Sequence, residues 1–267
     1  MRLTIYQVDA FAANVFEGNP AAVVPLHSWP EDSLLQKIAM ENNLSETAFF
    51  IPADGDAQPG AHFELRWFTP EYEIDLCGHA TLASAYVIKN FVAPHLGEIV
   101  FTTRKAGLLR ATARDGAYTL DFPARPPQPC TPPDKLLKSL GTGPAVEILK
   151  SRDYFVVLPD EDAVLNVEPD YTLMKELDTI GVIVTARGRS ADVVSRCFYP
   201  GAGIPEDPVT GSAHCNIVPY WAALLGKTGL ECRQLSARGG TLHCTLDGDR
   251  VLMTGTCVLY LEGTIEV

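Results

Sequence analysis

The sequence predicts an α+β protein made of two similar, mostly β units, each built round one buried helix. Three observations carry that expectation. Two runs almost free of charge begin at Gly78 and Gly211, which stand 133 residues apart in a chain of 267. Short apolar segments of strand length surround both runs. Between the halves lies PARPPQPCTPPD, Pro123 to Asp134, with six prolines in twelve residues. Such a segment continues neither a helix nor a sheet ladder, so it reads as a linker.

The elements follow in order. Leu3–Val8 and Ala21–Val24 read as strands, with Gly18-Asn19-Pro20 as the turn between them. Glu31–Asn42 reads as a helix, because Leu34, Leu35, Ile38 and Ala39 share one face. Thr47–Ile51 and Phe63–Phe68 read as strands. His79–Phe91 reads as a helix that is apolar nearly all round, with Lys89 its only charge. Ile99–Thr103, Leu108–Ala113 and Tyr118–Phe122 are three further strands. In the second half, strands are expected at Tyr154–Leu158, Gly181–Thr185 and Val193–Tyr199. A helix then runs from Gly211 to Leu225, kinked by Pro219. Strands return at Arg233–Ser236, Thr241–Leu246, Val251–Gly255 and Val258–Leu261. The predicted domains are 1–124 and 125–255, with 256–267 placed to add a strand to the first.

Composition narrows the function. Apolar residues make up 46% and charged residues 20%, ordinary for a soluble globular protein. A net charge of -12 argues against a nucleic-acid partner. It leaves room for a small anion held by backbone N–H groups. The longest uncharged run, Pro208–Gly226, contains Ser212, His214, Asn216 and Pro219 and is a poor membrane span. The seven cysteines are odd in number, widely spaced and without C-x-x-C, which fits a reducing cytoplasm. MRLTIYQVDAF reads as a strand rather than a signal peptide.

Candidate site residues gather at the helix starts. Gly78 and Gly211 each open a helix whose first N–H groups and dipole suit a carboxylate. Cys77 and His79 are two residues apart, with no orienting third group in view; a buried, inert Cys is the commoner outcome. The six His lack metal-ligand spacing, and no dinucleotide or phosphate loop is present, so neither metal nor cofactor is expected. Glu46, in NLSETAF, is either a solvated rim residue or a general base whose pKa is raised by the apolar neighbours Leu44, Ala48 and Phe49. Arg238-Gly239-Gly240 reads as a hairpin turn.

Taken together, GNPAAVV, NLSETAF, FTP…CGHATLASA, LDFPA, EDPVTGSAH and RGG, in that order along the chain, closely resemble the PhzF family of phenazine-biosynthesis-like proteins. The resemblance runs to the final LEGTI. It implies a diaminopimelate epimerase-like fold: two similar domains, each a mostly antiparallel, barrel-like sheet round a central helix, with the active site between them. It implies a cofactor-free isomerase that shifts a proton along an allylic system, the characterised substrate being trans-2,3-dihydro-3-hydroxyanthranilate. The family's catalytic Glu, His, Asp and Ser fall on Glu46, His79, Asp207 and Ser212. Gly78, Thr210 and Gly211 fall in its substrate-binding motifs, and a homodimer is usual. The related epimerases use two cysteines; here the second such place holds Thr210, too weak an acid for that role. Three functions stay open at this point: a proton-shifting isomerase of a small unsaturated or cyclic carboxylate, a binding protein without turnover, and an epimerase.

Overall fold

The computed structural model describes residues 1–53 and 61–267. The chain divides into two compact units, Met1–Asp121 with Thr254–Val267, and Phe122–Met253. The first unit holds β1 (Arg2–Ala10), β2 (Asn19–Pro25), α1 (Asp32–Asn42), β3 (Glu46–Pro52), β4 (His62–Phe68), β5 (Glu73–Ile74), α2 (Gly78–Val87), β6 (Glu98–Thr103), β7 (Leu108–Arg114) and β8 (Ala117–Pro123). The second holds β9 (Gln128–Pro129), α3 (Lys135–Ser139), β10 (Glu147–Lys150), β11 (Tyr154–Val157), α4 (Glu161–Leu165), α5 (Tyr171–Met174), β12 (Val182–Arg187), β13 (Val193–Tyr199), β14 (Ile204–Asp207), α6 (Gly211–Leu225), β15 (Gly229–Gln234) and β16 (Gly240–Asp247). The last strand, β17 (Arg250–Glu266), leaves the second unit and returns to the first.

Strand pairing makes the first unit a ring. β17 pairs with β1 and β1 with β2, both antiparallel; β2 runs parallel to β3, β3 antiparallel to β4, and β4 parallel to β6. β6, β7 and β8 follow as antiparallel neighbours, and β8 pairs with β17 to close eight strands into a barrel. A parallel pair needs a long crossover. The β2–β3 crossover is α1, whose Leu35, Ile38 and Ala39 pack on Ala22, Val24, Phe49 and Phe68. The β4–β6 crossover is α2, with eight of its ten residues buried, against β1, β2, β3 and β7. β2 and β3 are therefore covered on both faces, which explains their unbroken apolar runs AAVV and TAFF.

The second unit repeats this order. β10 and β11 are antiparallel, β11 and β12 parallel, β12 and β13 antiparallel, β13 and β15 parallel, and β15 and β16 antiparallel. α4 and α5 sit in the first crossover and α6 in the second. The repeat suggested by two glycines is thus a repeat of topology.

Several expectations need correction. Asn19 and Pro20 open β2 instead of forming a turn; the reversal spans residues 11–18, with Phe11, Phe16 and Gly18 all at positive φ. At Gly18 φ is +65°, and a Cβ there would meet the Ala10 carbonyl at 2.2 Å, so only Gly fits. The helix expected over His79–Phe91 stops being regular at Val87 and ends in one wider π turn, Ile88–Val92. The strand expected at Arg233–Ser236 starts four residues earlier, at Gly229, and ends two earlier, at Gln234, because Ser236 turns to accept the Gly239 N–H at 3.0 Å. Val251–Gly255 and Val258–Leu261 are one continuous strand. Gly255 does not break it, because the Phe11 ring occupies the place of its missing Cβ, 2.4 Å away.

The proline-rich segment is not a free linker. Gln128 and Pro129 pair with Lys150 and Leu149, at the edge position that tolerates Pro. Pro219 lacks the N–H that would reach the Cys215 carbonyl within α6. The Arg125 backbone N–H takes that carbonyl instead, at 2.8 Å. Among the described residues, no helix is long and apolar enough to cross a membrane.

Inside α6, His214 is fully buried and its Nδ1–H donates to the Thr210 carbonyl at 2.8 Å. Burial pushes its pKa from 6.5 down to about 4. An imidazole that charges at 6.5 when unfolded, and only near 4 when folded, costs stability as pH falls through that window. The loss amounts to about 3 kcal/mol by pH 4. Denaturant titrations at pH 7 and pH 4.5 should therefore show a steeper acid loss in the wild type than in His214→Asn, which keeps an N–H donor and removes the titration. Parallel pH profiles for the two proteins would contradict this account.

Candidate active site

In the first unit, residue alternation along β3 decides which side chains meet α2. Glu46, Ala48 and Phe50 share one face, and Thr47 and Phe49 the other. Phe49 packs in the layer under α1, and Leu44 lies against the same layer. Neither therefore dries Glu46 as the sequence suggested; Ala48 keeps its place on the same face. Glu46 itself is buried, at 7% exposure, rather than a rim residue.

Glu46 faces the first turn of α2. Its Oε2 lies 3.2 Å from His79 Nε2, and Cys77 Sγ lies 3.4 Å from the other ring nitrogen, Nδ1. All three side chains are buried. The Glu46–His79 contact lies within ion-pair distance but outside hydrogen-bond alignment, and neither atom has another hydrogen-bond partner among the described residues. Both atoms are buried polar groups still open to a partner. Cys77, the N-cap of α2, makes no side-chain cap, so the first N–H groups of the helix point out of it.

Burial opposes charge on His79, but the Cys77 and Glu46 side chains at its two ring nitrogens outweigh it and hold the imidazole well above its ordinary pKa. Burial, with Glu46 beside it, pushes the Cys77 thiol up to about 11. Near pH 7 the thiol can support an imidazolium only through its contact with Nδ1, so of the two neighbours Glu46 is the one able to supply an opposite charge. Its raised pKa also makes the thiol a poor nucleophile.

These three residues offer donor atoms within 4.8 Å of one another, a cluster that the scattered histidines did not foretell. The imidazole ring stands between the other two: the thiol lies at Nδ1 and the carboxylate at Nε2.

The second unit holds the remaining predicted residues. Asp207 ends β14, Thr210 is the N-cap of α6, and Gly211 and Ser212 are its first residues. Thr210 Oγ1 donates to Asp207 Oδ2 at 2.5 Å. Ser212 Oγ accepts from Arg152 Nη2 at 3.4 Å. The same Arg152 spans the buried Asp153 carboxylate, at 3.0 and 3.3 Å. Tyr199 OH donates to Asp153 at 3.5 Å. Gln234, on β15, accepts from the Thr210 N–H at 2.9 Å and donates to the Asp207 carbonyl at 2.7 Å. Sequence reasoning missed Arg152, Asp153, Tyr199 and Gln234. SRDYF and RQLS carry no motif; Arg152 and Asp153 come from the turn between β10 and β11, Tyr199 from β13 and Gln234 from the end of β15, and only tertiary structure brings them together near the start of α6. Arg238 lies in the turn between β15 and β16, as expected.

The barrel wrapped round a buried helix is an epimerase-like fold, and curated relatives that match the chain from end to end are named isomerases. The phenazine biosynthesis-like (PhzC–PhzF) family model matches residues 8–263, and the chain belongs to that family. It is 49% identical to an uncharacterized isomerase of Pseudomonas aeruginosa over the full length of both chains. It is 39% identical to the human phenazine biosynthesis-like domain-containing protein, over 99% of each chain. The crystal structure of a PhzF-family protein from Enterococcus faecalis superposes with a TM-score of 0.94, at 46% identity and full coverage of both chains. A hydroxyproline epimerase from Agrobacterium vitis shares the fold, with a TM-score of 0.65 at 12% identity, over 99% of this chain and 92% of its own.

The charge state of His79 gives a direct check of the pair. Its ring nitrogens, followed by ¹⁵N NMR, should report imidazolium at pH 7 in the wild type and in Cys77→Ser. In Glu46→Gln they should report a neutral ring, because the sustaining carboxylate is gone. A neutral ring in Cys77→Ser would transfer that role to the thiol.

Proposed function

We propose that this protein is a cofactor-independent isomerase that moves a proton within a small unsaturated or cyclic carboxylate, with Glu46 as the base that takes the proton and returns it. One observation carries the reading: a buried carboxylate and a buried imidazole lie 3.2 Å apart, with Oε2 and Nε2 both lacking an aligned hydrogen bond. A proton shift needs one group that accepts at one carbon and delivers to another, and a neighbour that steadies the charge in between. Glu46 has the chemistry for the first and His79 for the second. The uncapped first turn of α2, entered through Gly78, suits the substrate carboxylate.

Asp207, Thr210, Gly211 and Ser212 are proposed as the second unit's contribution on the strength of the family motif EDPVTGSAH. Likewise proposed are a homodimeric state and a cytoplasmic location. An epimerase of the two-base kind is the weaker reading. Its second base would fall on Thr210, whose hydroxyl already donates its proton to Asp207. A binding protein without turnover remains the alternative that experiment must separate.

Glu46→Gln preserves volume and removes the proton-accepting oxygen. With trans-2,3-dihydro-3-hydroxyanthranilate as the probe in deuterated water, the wild type should exchange a carbon-bound hydrogen. The variant should do so roughly 10²–10⁴-fold more slowly, the usual span of a general-base contribution. Binding of the probe, measured by calorimetry, should survive. Equal exchange rates would remove Glu46 from the chemistry, and binding without exchange in the wild type would favour the silent binding protein.

A further inference from the structure

Among the described residues, Glu46, Cys77 and His79 are the one group of three metal-ligating side chains gathered in one place. A carboxylate oxygen, Sγ and a ring nitrogen lie within 4.8 Å of one another. Sequence spacing hides the group, because β3 supplies one donor and the start of α2 the other two. Groups bonded in line with the two nitrogens of one imidazole are carried apart by the ring. Here the thiol and the carboxylate approach different nitrogens yet stay within 4.8 Å of each other, so both lean to the same edge of it. The Glu46 contact has that character: it is 3.2 Å long but out of hydrogen-bond alignment. A second observation points to a ligand. Glu46 Oε2 and His79 Nε2 are buried side by side without a hydrogen-bond partner among the described residues.

The donor chemistry selects the ion. Thiolate, imidazole and carboxylate together suit zinc, whereas magnesium and calcium want a shell of oxygens that one Glu cannot supply. Tetrahedral zinc holds S at about 2.3 Å and N or O at about 2.0–2.2 Å, so its ligands stand roughly 3.2–3.8 Å apart. The 3.4 Å from Sγ to Nδ1 and the 3.2 Å from Oε2 to Nε2 already have that spacing. An ion on a single nitrogen needs its third ligand to close in by about 1 Å at most, a movement the Glu46 side chain can make by rotation. Charge also balances. Thiolate and carboxylate cancel the two charges of the ion, so a neutral set is buried. The positive end of α2 opposes a bare cation, but it favours a thiolate on Cys77, the N-cap.

We propose that Glu46, Cys77 and His79 form a zinc site that switches the isomerase off. The ion takes the carboxylate and the imidazole that the proton shift needs. Cys77, which that shift does not use, is the ligand that makes the ion zinc. Its thiol proton passes to solvent as the Zn–S bond forms, and water fills the fourth position. The switching half rests on the isomerase reading; the binding half does not.

The experiment uses cobalt(II) as a coloured stand-in for zinc on the metal-free full chain. A cobalt–thiolate bond absorbs in the near ultraviolet, and a tetrahedral site adds strong visible bands. Both signals should reach their limit at one equivalent. Zinc should then displace the cobalt and magnesium should not. Cys77→Ser should lose the thiolate band. Glu46→Gln should weaken zinc, followed by calorimetry, by more than the roughly 10–100-fold that losing an outer partner costs a metal site. Cys130→Ser and Cys257→Ser remove the two less buried thiols and should bind as the wild type does. With trans-2,3-dihydro-3-hydroxyanthranilate in deuterated water, one equivalent of zinc should stop exchange of the carbon-bound hydrogen, and a chelator should restore it. Cobalt bound without a thiolate band would overturn the proposal, a result that needs no variant to fold. A band that survives Cys77→Ser would do the same. Zinc seated on the three residues while exchange continues would overturn the switch. Absence of exchange in the metal-free protein would sink the isomerase reading alone and leave the cobalt spectra standing.

Discussion

A closed barrel of eight strands has an interior just wide enough for side chains, and this one encloses a helix. That constraint sets the composition of α2. Ala80, Ala83, Ala85 and Ser84 keep it thin, and every one of them is buried. Its two aliphatic hydroxyls are satisfied within the helix: Thr81 donates to the Cys77 carbonyl at 2.5 Å and Ser84 to the Ala80 carbonyl at 2.7 Å. A charge at mid-helix would have no partner there. Charge is tolerated only at the helix start, where Glu46 from β3 and His79 from α2 supply each other's partner. The candidate site thus lies where the barrel's packing rule is relaxed.

The second unit meets the same requirement with different residues. Its strands follow the same sequence of parallel and antiparallel pairs, and its second crossover is again the buried one. α6 is less uniformly small, with Trp221, Asn216 and His214 all buried. His214 is accommodated as a neutral ring bonded to the Thr210 carbonyl, and Trp221 Nε1 donates to Thr185 at 3.0 Å. The carbonyl that Pro219 leaves unpaired anchors the chain just after β8. At its start, α6 carries no counterpart of the Glu46–His79 pair but a hydrogen-bonded loop held by Gln234. Similar topology therefore presents two chemically different helix starts, one beside a buried carboxylate–imidazole pair and one beside a hydrogen-bonded loop of Asp207, Thr210 and Gln234.

Much of this was legible in the residues. The regular strands and the three long helices stand within a few residues of where apolar patterning and turn chemistry put them. The sequence reading does not show β5, β9, β10 and β14, or the short helices α3, α4 and α5. They are two to five residues long and stabilised by neighbours rather than by their own periodicity. Asp160 and Asp170 do cap α4 and α5, but a lone Asp before one helical turn is a common pattern with little power to discriminate. Glu46 could be named from NLSETAF, yet its surroundings were misjudged. Phe49 is close in sequence but lies on the other face of the strand.

By itself the sequence determined the class: two β-rich halves with one charge-free helix each, entered through Gly78 and Gly211, and a family signature spread along the whole chain. Those features are local or cumulative, and periodicity and motif order preserve them without any distance. Tertiary structure alone decided that Glu46 faces His79 while Phe49 turns away, that Cys77 lies at the far ring nitrogen, and that Gln234 holds Asp207 through Thr210. Each of these depends on strand register and on which crossover runs inside the barrel. A one-residue shift of either would exchange the inward and outward faces while leaving the composition unchanged.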